Sequence, residues 1–174
     1  MQHFEERLKG GHSNSLSNTV EIVSAVLAEP SYFDELFGCY FSDDAVVCLR
    51  VSNAMKRIGK ANKKLLIPYL DRFLNEIATI DQASTQWTLA QLFLLLERDM
   101  SASQLAQASA IVQHNLSQSQ DWIVLNTSME TLTKWVKQDK DLKAWLLPHL
   151  ERLTKDTRKS VQNRASKSLK ALKK

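Results

Sequence analysis

Two stretches of ten residues in this chain match each other closely. Residues 65–74 read LLIPYLDRFL, residues 145–154 read WLLPHLERLT, and the prolines Pro68 and Pro148 stand 80 positions apart. In both stretches the leucines recur at helical spacing, and the proline stands where the first turn of a helix tolerates its missing N–H. The match predicts that the chain builds a similar helical unit more than once.

Apolar helical stripes recur with a compatible period. Val47, Val51, Ala54 and Ile58 have the spacing i, i+4, i+7, i+11, and stripes of the same kind begin at Leu125 and at Val161. From Val47 to Leu125 is 78 positions and from Leu125 to Val161 is 36, so three steps average 38. A period of about 20 to 50 residues is typical of repeat architectures. A middle copy, residues 83–116, lacks the proline and keeps only the apolar spacing.

Capping signals predict the helix boundaries. A polar residue that can accept a hydrogen bond from the first turn, followed three residues later by an acid or an amide, occurs at Asn18 with Glu21, Ser31 with Asp34, and Ser101 with Gln104. Ser42, with Asp43 and Asp44 after it, predicts another start, and Gly59 predicts the end of that helix. Only four glycines and three prolines occur in 174 residues, which favours long helices over short strands.

This pattern resembles HEAT repeats, in which an A helix carrying Asp, Val, Arg and Ala is paired with a B helix that begins around Leu-Pro-x-Leu. The residues that carry the resemblance are Asp44, Val47, Arg50 and Ala54, then Leu66, Pro68 and Leu70, then Leu146, Pro148 and Leu150, and finally Asp156, Val161, Arg164 and Ala165. They cover most of residues 42–174. The resemblance implies an all-α fold, a right-handed α-α superhelix of stacked antiparallel helix hairpins with about nine helices.

We expect residues 18–174 to form this solenoid as a single domain and residues 1–17 to be a flexible N-terminal segment. An irregular helical bundle would produce the same spacings and is the alternative.

No set of side chains points to a reaction, a cofactor or a metal ion. The histidines His3, His12, His114 and His149 are isolated, without the spacing of metal ligands. Asp43 and Asp44 could form a metal pair, but negative charge at a helix start explains them with fewer assumptions. We therefore expect a protein that is not an enzyme.

Cysteine usage and hydropathy indicate a cytoplasmic protein. Cys39 and Cys48 lie in apolar surroundings without a C-x-x-C spacing, which favours buried, reduced thiols. The N-terminus lacks the pattern of a signal peptide. No uncharged run reaches the roughly 18 apolar residues of a membrane span, so we expect no contact with a membrane.

Charge is distributed unevenly along the chain. Residues 134–174 hold 13 Lys and Arg against four acids, whereas residues 1–133 hold 10 against 15. Lys159, Lys167, Lys170 and Lys174 share one side of the predicted last helix, which we call the basic face. The basic face would be either the polar outer side that caps a solenoid or a surface that contacts phosphates.

The chain contains four tryptophans, and two of them are candidate binding residues. Trp87 and Trp135 fall on apolar helix faces, so packing in the core is the stronger interpretation. Trp122 and Trp145 lie near predicted helix starts, where partial exposure is possible, and we include them with the basic face as a candidate binding surface.

Two functions fit these observations. The first is a non-enzymatic scaffold or adaptor that binds a protein along a ridge of B helices, expected at residues 66–77, 101–116 and 145–154. The resemblance to HEAT proteins implies the same role. The second is nucleic-acid binding through the basic face, by analogy with DNA-alkylation-repair glycosylases that are built of HEAT-like repeats. No catalytic residue of that family can be matched in this sequence.

Overall fold

The computed structural model of the protein describes residues 2–12 and 15–173. Within these residues the chain is all-helical and contains no strand. Ten α-helices follow one another: α1 (Phe4–Leu8), α2 (Thr19–Ala28), α3 (Phe33–Gly38), α4 (Ala45–Asn62), α5 (Leu70–Asn75), α6 (Ala83–Leu95), α7 (Ala102–Gln118), α8 (Trp122–Trp135), α9 (Lys140–Leu153) and α10 (Lys159–Leu172). Short 3-10 turns connect them at Pro30–Tyr32, Cys39–Phe41, Lys63–Leu65, Ile67–Tyr69, Ile77–Thr79, Glu97–Asp99 and Val136–Gln138. The expected all-α class is confirmed.

The even-numbered helices pack against one another in chain order. Helix α2 contacts α4, α4 contacts α6, α6 contacts α8, and α8 contacts α10. Helices α7 and α9 each pack between the even-numbered helices that precede and follow them, and α5 contacts α7. Helices α4, α6, α8 and α10 begin at residues 45, 83, 122 and 159, which keeps the period close to the average predicted from the apolar stripes.

The apolar stripes that define the period form the core. Val47, Val51, Ala54 and Ile58 are fully buried on α4. The stripes on the later even-numbered helices are buried in the same way: Leu125, Met129, Leu132 and Val136 in and after α8, and Val161, Ala165 and Leu172 on α10. Burial of these side chains is the main stabilising contribution to the fold.

The N-terminal residues pack onto the first hairpin. Phe4 and Leu8 of α1 are fully buried, and α1 contacts α3 and α4. The buried guanidinium of Arg50 donates to the carbonyls of Leu8 at 2.5 Å, Gly10 at 2.6 Å, His12 at 3.1 Å and Ser15 at 3.1 Å. An apolar face one helical turn long and a single arginine fork therefore contact the described part of this segment from two sides. The expected flexibility of residues 1–17 stays a prediction.

The hydrogen bonds that start the helices differ in part from the predicted caps. Asp44, not Ser42, caps α4 by accepting from Val46 N at 2.8 Å, while Ser42 Oγ accepts from Asp44 N at 3.2 Å. Asn18 stands at the N-cap of α2 but uses its amide to donate to the carbonyl of Arg7 at 3.0 Å. The predicted capping box of Ser101 and Gln104 is present at α7.

Ser31 also has another role than the predicted cap. Its backbone N–H donates to the side chain of Glu29 at 3.2 Å, at the start of the turn Pro30–Tyr32. Helix α3 begins only at Phe33.

The two proline segments take different backbone conformations with the same burial. Pro68 lies in the turn Ile67–Tyr69 that precedes α5, whereas Pro148 lies inside α9, which has already begun at Lys140. The expectation of a first-turn proline is therefore wrong for Pro148, because Asp139 caps α9 nine residues earlier in the chain. The buried positions nevertheless correspond: Leu66, Leu70 and Phe73 in one segment, and Leu146, Leu150 and Leu153 in the other.

Gly59 does not end α4, as the sequence suggested, but lies within it. A Cβ atom built at Gly59 would stand 3.0 Å from Leu95 Cδ2 and 3.4 Å from Leu66 Cδ2. Gly59 therefore lies where α4 and α6 pack closely, and it does not stand at a left-handed C-terminal position.

Candidate interaction surfaces

Helix α7 forms the middle of the predicted ridge. Its buried residues are Ala108, Val112, Asn115 and Leu116, and the opposite side is exposed. That exposed side contains no charged residue, since residues 100–120 hold no Asp, Glu, Lys or Arg. The predicted element at 66–77 is a turn followed by the short helix α5, and the predicted element at 145–154 is the second part of α9.

A groove separates α7 from α9. It has a volume of about 490 Å³, and its walls include Leu105 and Ala106 of α7 and Leu142 of α9. Trp135 also lines this groove, where its indole Nε1 donates to Glu97 Oε2 at 2.9 Å. A tryptophan side chain that is half-buried and held by a hydrogen bond is a typical anchor residue in protein interfaces.

The structure separates the two tryptophans of the candidate binding surface. Trp122, the first residue of α8, is 48% exposed. Trp145 of α9 packs partly against the core and stacks on the ring of His149, with ring centroids 4.1 Å apart. Burial, together with the positive charge of Arg152, lowers the pKa of His149. Trp87, expected in the core, is only half-buried.

The basic face lies on the exposed side of α10. Lys159, Lys167 and Lys170 are exposed, opposite the buried Val161 and Ala165. None of these three lysines forms a salt bridge with another described residue, whereas Arg164 on the flank approaches Glu130 at 3.6 Å. Lys174, the fourth residue of the basic face, lies outside the described residues.

A second groove, which was not predicted from the sequence, shares no lining residue with the groove between α7 and α9. It is formed by α4, α6 and α8, has a volume of about 420 Å³, and we call it the α4–α6–α8 groove. Its lining is Lys56 and Lys60 from α4, Gln91, Leu92, Leu94 and Leu95 from α6, and Thr127, Glu130 and Thr131 from α8. Leu95 is 38% exposed, which is unusual for a residue between two packed helices.

The charges around the α4–α6–α8 groove are mostly positive. Burial lowers the pKa of Lys56, and the positive charges of Lys60 and Arg57 lower it further. Burial would raise the pKa of Glu130, but Lys134 at 3.1 Å and Arg164 lower it more strongly. The only acid among the lining residues is therefore already paired, whereas Lys56 and Lys60 form no salt bridge within the described part of the chain.

The candidate metal and redox positions have ordinary structural roles. Among the described residues, no group of three His, Cys, Asp or Glu side chains lies close enough together to hold a metal ion. Asp44 is a helix cap, and Asp43 beside it is exposed. Cys39 and Cys48 are buried free thiols, and burial raises the pKa of Cys39 to about 12. Across residues 2–12 and 15–173, no helix has the combination of length and hydrophobicity needed to cross a bilayer.

Comparison with protein-family models returned no match to this chain, and comparison with curated protein sequences returned none either.

Proposed function

We propose that the protein is a cytoplasmic, non-enzymatic HEAT-like α-solenoid, with a right-handed superhelix, that serves as a scaffold or adaptor for a protein partner. The observation that carries this proposal is the order of helix contacts, because each even-numbered helix packs on the next one in the chain. A stack of hairpins requires this order, and it leaves the outer sides of α7 and α9 free for a partner.

Hydrogen bonds between neighbouring hairpins support the stack. Side chains repeatedly bond to positions one period away: Gln82 donates to the Ala45 carbonyl, Thr131 to the Ala90 carbonyl, Trp135 to the Glu97 carboxylate and Arg158 to the Gln120 carbonyl. These partners are 37, 41, 38 and 38 residues apart. An irregular bundle has no reason to place such hydrogen bonds close to one period apart, so the pattern favours a repeat.

The groove between α7 and α9 supports a protein partner. Its lining combines apolar side chains and the anchored Trp135 with the charged residues Glu97, Arg98, Lys134 and Asp139, and protein interfaces contain the same mixture of apolar and polar groups. The charge-free outer side of α7 can pair with polar or apolar side chains of a partner without burying an unpaired charge.

Bulky substitutions on α7 test this proposal. Ala106→Arg combined with Ala110→Arg fills the exposed side of α7 and should abolish partner capture, measured by cross-linking and mass spectrometry in native extract. Ala28→Arg is the matched control, because Ala28 is exposed at the end of the distant helix α2. Equal capture by the wild type and the α7 variant would contradict binding at the ridge.

Nucleic-acid binding is the second candidate. Lys159, Lys167 and Lys170 favour it, because all three are exposed and form no salt bridge with another described residue. About four lysine–phosphate contacts would give an affinity for duplex DNA that falls steeply with salt concentration and ignores sequence. We expect the triple substitution of Lys159, Lys167 and Lys170 by Glu to abolish such binding in a filter-binding titration. If the wild type does not bind at low salt, the basic face is a solubilising cap.

A further inference from the structure

We propose that the α4–α6–α8 groove binds an acidic peptide segment that carries an apolar side chain. This inference rests on the proposed role in protein binding, and it assigns to that role a second surface and the chemistry of its partner. The evidence is an exposed apolar floor, two unpaired lysines at its edge, and hydroxyl groups that are already engaged elsewhere.

The floor of the groove is apolar and fixed in place. Leu92 is buried beneath it, Leu94 is half-buried and Leu95 is 38% exposed. Leu95 lies directly against the backbone of α4, because Gly59 has no side chain to hold it away. Water in contact with these leucines would be released by an apolar side chain of a partner, which favours binding.

The edge of the groove carries uncompensated positive charge. Lys56 and Lys60 are one helical turn apart on α4 and therefore repel each other. Partial burial lowers the pKa of Lys56 most, and this repulsion lowers it further. A carboxylate bound between the two ammonium groups would relieve the repulsion and supply the missing counter-charge.

The opposite wall favours a peptide over a nucleic acid. Thr127 Oγ1 donates to the Ile123 carbonyl at 2.8 Å and Thr131 Oγ1 donates to the Ala90 carbonyl at 2.9 Å, so neither hydroxyl proton is free to read a base edge. Glu130 would repel a chain of phosphates, whereas a peptide can place its acids on the lysine side alone. Aromatic side chains, on which bases would stack, are missing from the lining residues.

A peptide selection tests this inference with a defined probe. Random peptides of about 12 residues, long enough to span roughly 40 Å when extended, would be built from Asp, Glu, Leu, Phe, Ser and Gly and selected on the full-length protein. We expect the selected peptides to combine an acid with Leu or Phe. Fluorescence anisotropy would then give the affinity of one selected peptide for each variant.

Three variants decide the outcome. The double change Lys56→Gln and Lys60→Gln, and separately Leu95→Ser, should each weaken binding at least about tenfold. The matched control, Lys137→Gln with Lys155→Gln, removes the same charge at two exposed lysines outside every proposed surface and should stay within about twofold, because distant exposed charges are screened. Circular dichroism confirms that each variant is folded.

Other results would overturn the inference. The selection could yield no binding peptide, or all the variants could bind the peptide equally. Duplex DNA could also displace the peptide from the wild type through DNA binding that the Lys56 and Lys60 changes abolish. A cellular partner that is lost with the α7 variant but kept with the Lys56 and Lys60 changes would overturn the groove assignment alone and leave the proposed scaffold function standing.

Discussion

Arg50 links the first hairpin to the N-terminal segment through four backbone carbonyls. Its side chain is 1% exposed, and its guanidinium is paired with carbonyl dipoles. Only arginine offers five donors in a planar fork, so lysine cannot replace it at this position. The sequence marked Arg50 as a residue of the repeat pattern, but it gave no indication of these partners.

Removing the Arg50 fork should destabilise the protein. We expect Arg50→Met to lower the free energy of unfolding by about 2–4 kcal/mol, because it leaves buried carbonyls without donors. Arg57→Met on the same helix is the control, since Arg57 is exposed, and its effect should stay within about 0.5 kcal/mol. Urea unfolding followed by circular dichroism gives both values. Identical midpoints for the two variants would contradict the anchoring role of Arg50.

The two helical glycines Gly38 and Gly59 should respond in opposite directions to a side chain. A Cβ atom at Gly38 meets nothing within 4 Å, so Gly38→Ala should stabilise the protein by about 0.5–1 kcal/mol. Gly59→Leu should destabilise it by about 1–3 kcal/mol, because the new side chain collides with Leu95 and Leu66. Thermal unfolding measures both changes, and stabilisation by Gly59→Leu would show that α4 and α6 are not in close contact.

At the scale of the helix, α8 depends on its N-cap. Asp121 accepts from Ile123 N at 2.8 Å and from Val124 N at 3.0 Å, and α8 packs against α6, α7, α9 and α10. Asp121→Ala should therefore lower the free energy of unfolding by about 1–2 kcal/mol. Asp43→Ala, which removes an exposed acid that caps no helix, should change it by less than about 0.5 kcal/mol in the same urea titration. Equal losses would indicate that charge, and not capping, stabilises the helix starts.

The start of α10 should make stability depend on pH. Hydrogen bonds from Arg158 lower the pKa of Asp156 from its ordinary value of 3.8 to about 2. Because the pKa is depressed in the folded state, the ionised carboxylate stabilises the protein above its ordinary pKa, and that stabilisation is lost as the pH falls towards 2.

Replacing Asp156 by Asn should therefore have an effect that disappears in acid. We expect the wild type to be more stable than Asp156→Asn at pH 7, with the difference shrinking between about pH 4 and pH 2. Urea unfolding at a series of pH values measures the difference. A difference that is constant with pH would mean that the charge of Asp156 contributes nothing.

The existence of the helices could be predicted from the sequence more reliably than their ends. Apolar spacing predicted the buried stripe of α4, because a helix that buries one face needs apolar residues at the helical period. The cap of the same helix was assigned to Ser42 and not to Asp44, since both residues can cap and only the backbone geometry chooses between them. Pro148 was placed in a first turn because its sequence matches that around Pro68, although the cap at Asp139 sets an earlier start.

The interaction surfaces could be predicted only where they are local in sequence. The basic face lies on one helix, so helical spacing was enough to predict that its lysines share one side. The α4–α6–α8 groove combines Lys56 and Lys60 with Leu95, and no short-range pattern links α4 to α6. Gly59 offered a signal of close packing, but a glycine near a helix end is also typical of a C-cap.

At the scale of the whole molecule, the charge is distributed unevenly along the chain. Residues 1–133 carry a net negative charge. Residues 134–174, which include α9 and α10, carry a net positive charge. The proposed solenoid would place these charges towards opposite ends. A partner that contacts α7, near the middle of this solenoid, would lie away from both charged ends. We therefore expect its affinity to depend only weakly on salt concentration, whereas DNA binding at α10 would depend on it strongly.

The stack of hairpins is the central claim, and distances between its helices test it most directly. Spin labels would be placed on the exposed residue Ser24 of α2 and, in separate samples, on Arg57 of α4, Gln91 of α6, Lys134 of α8 or Ser166 of α10. Each label site would be a cysteine. The native thiols are buried, with the pKa of Cys39 raised to about 12, so they should react slowly with the label.

Pulsed electron spin resonance then gives the four distances from Ser24. Neighbouring packed helices are about 8–10 Å apart, so we predict that the distance increases at each step and is longest to Ser166. A distance from Ser24 to Ser166 that is no longer than the distance from Ser24 to Gln91 would describe a closed bundle and contradict the stack.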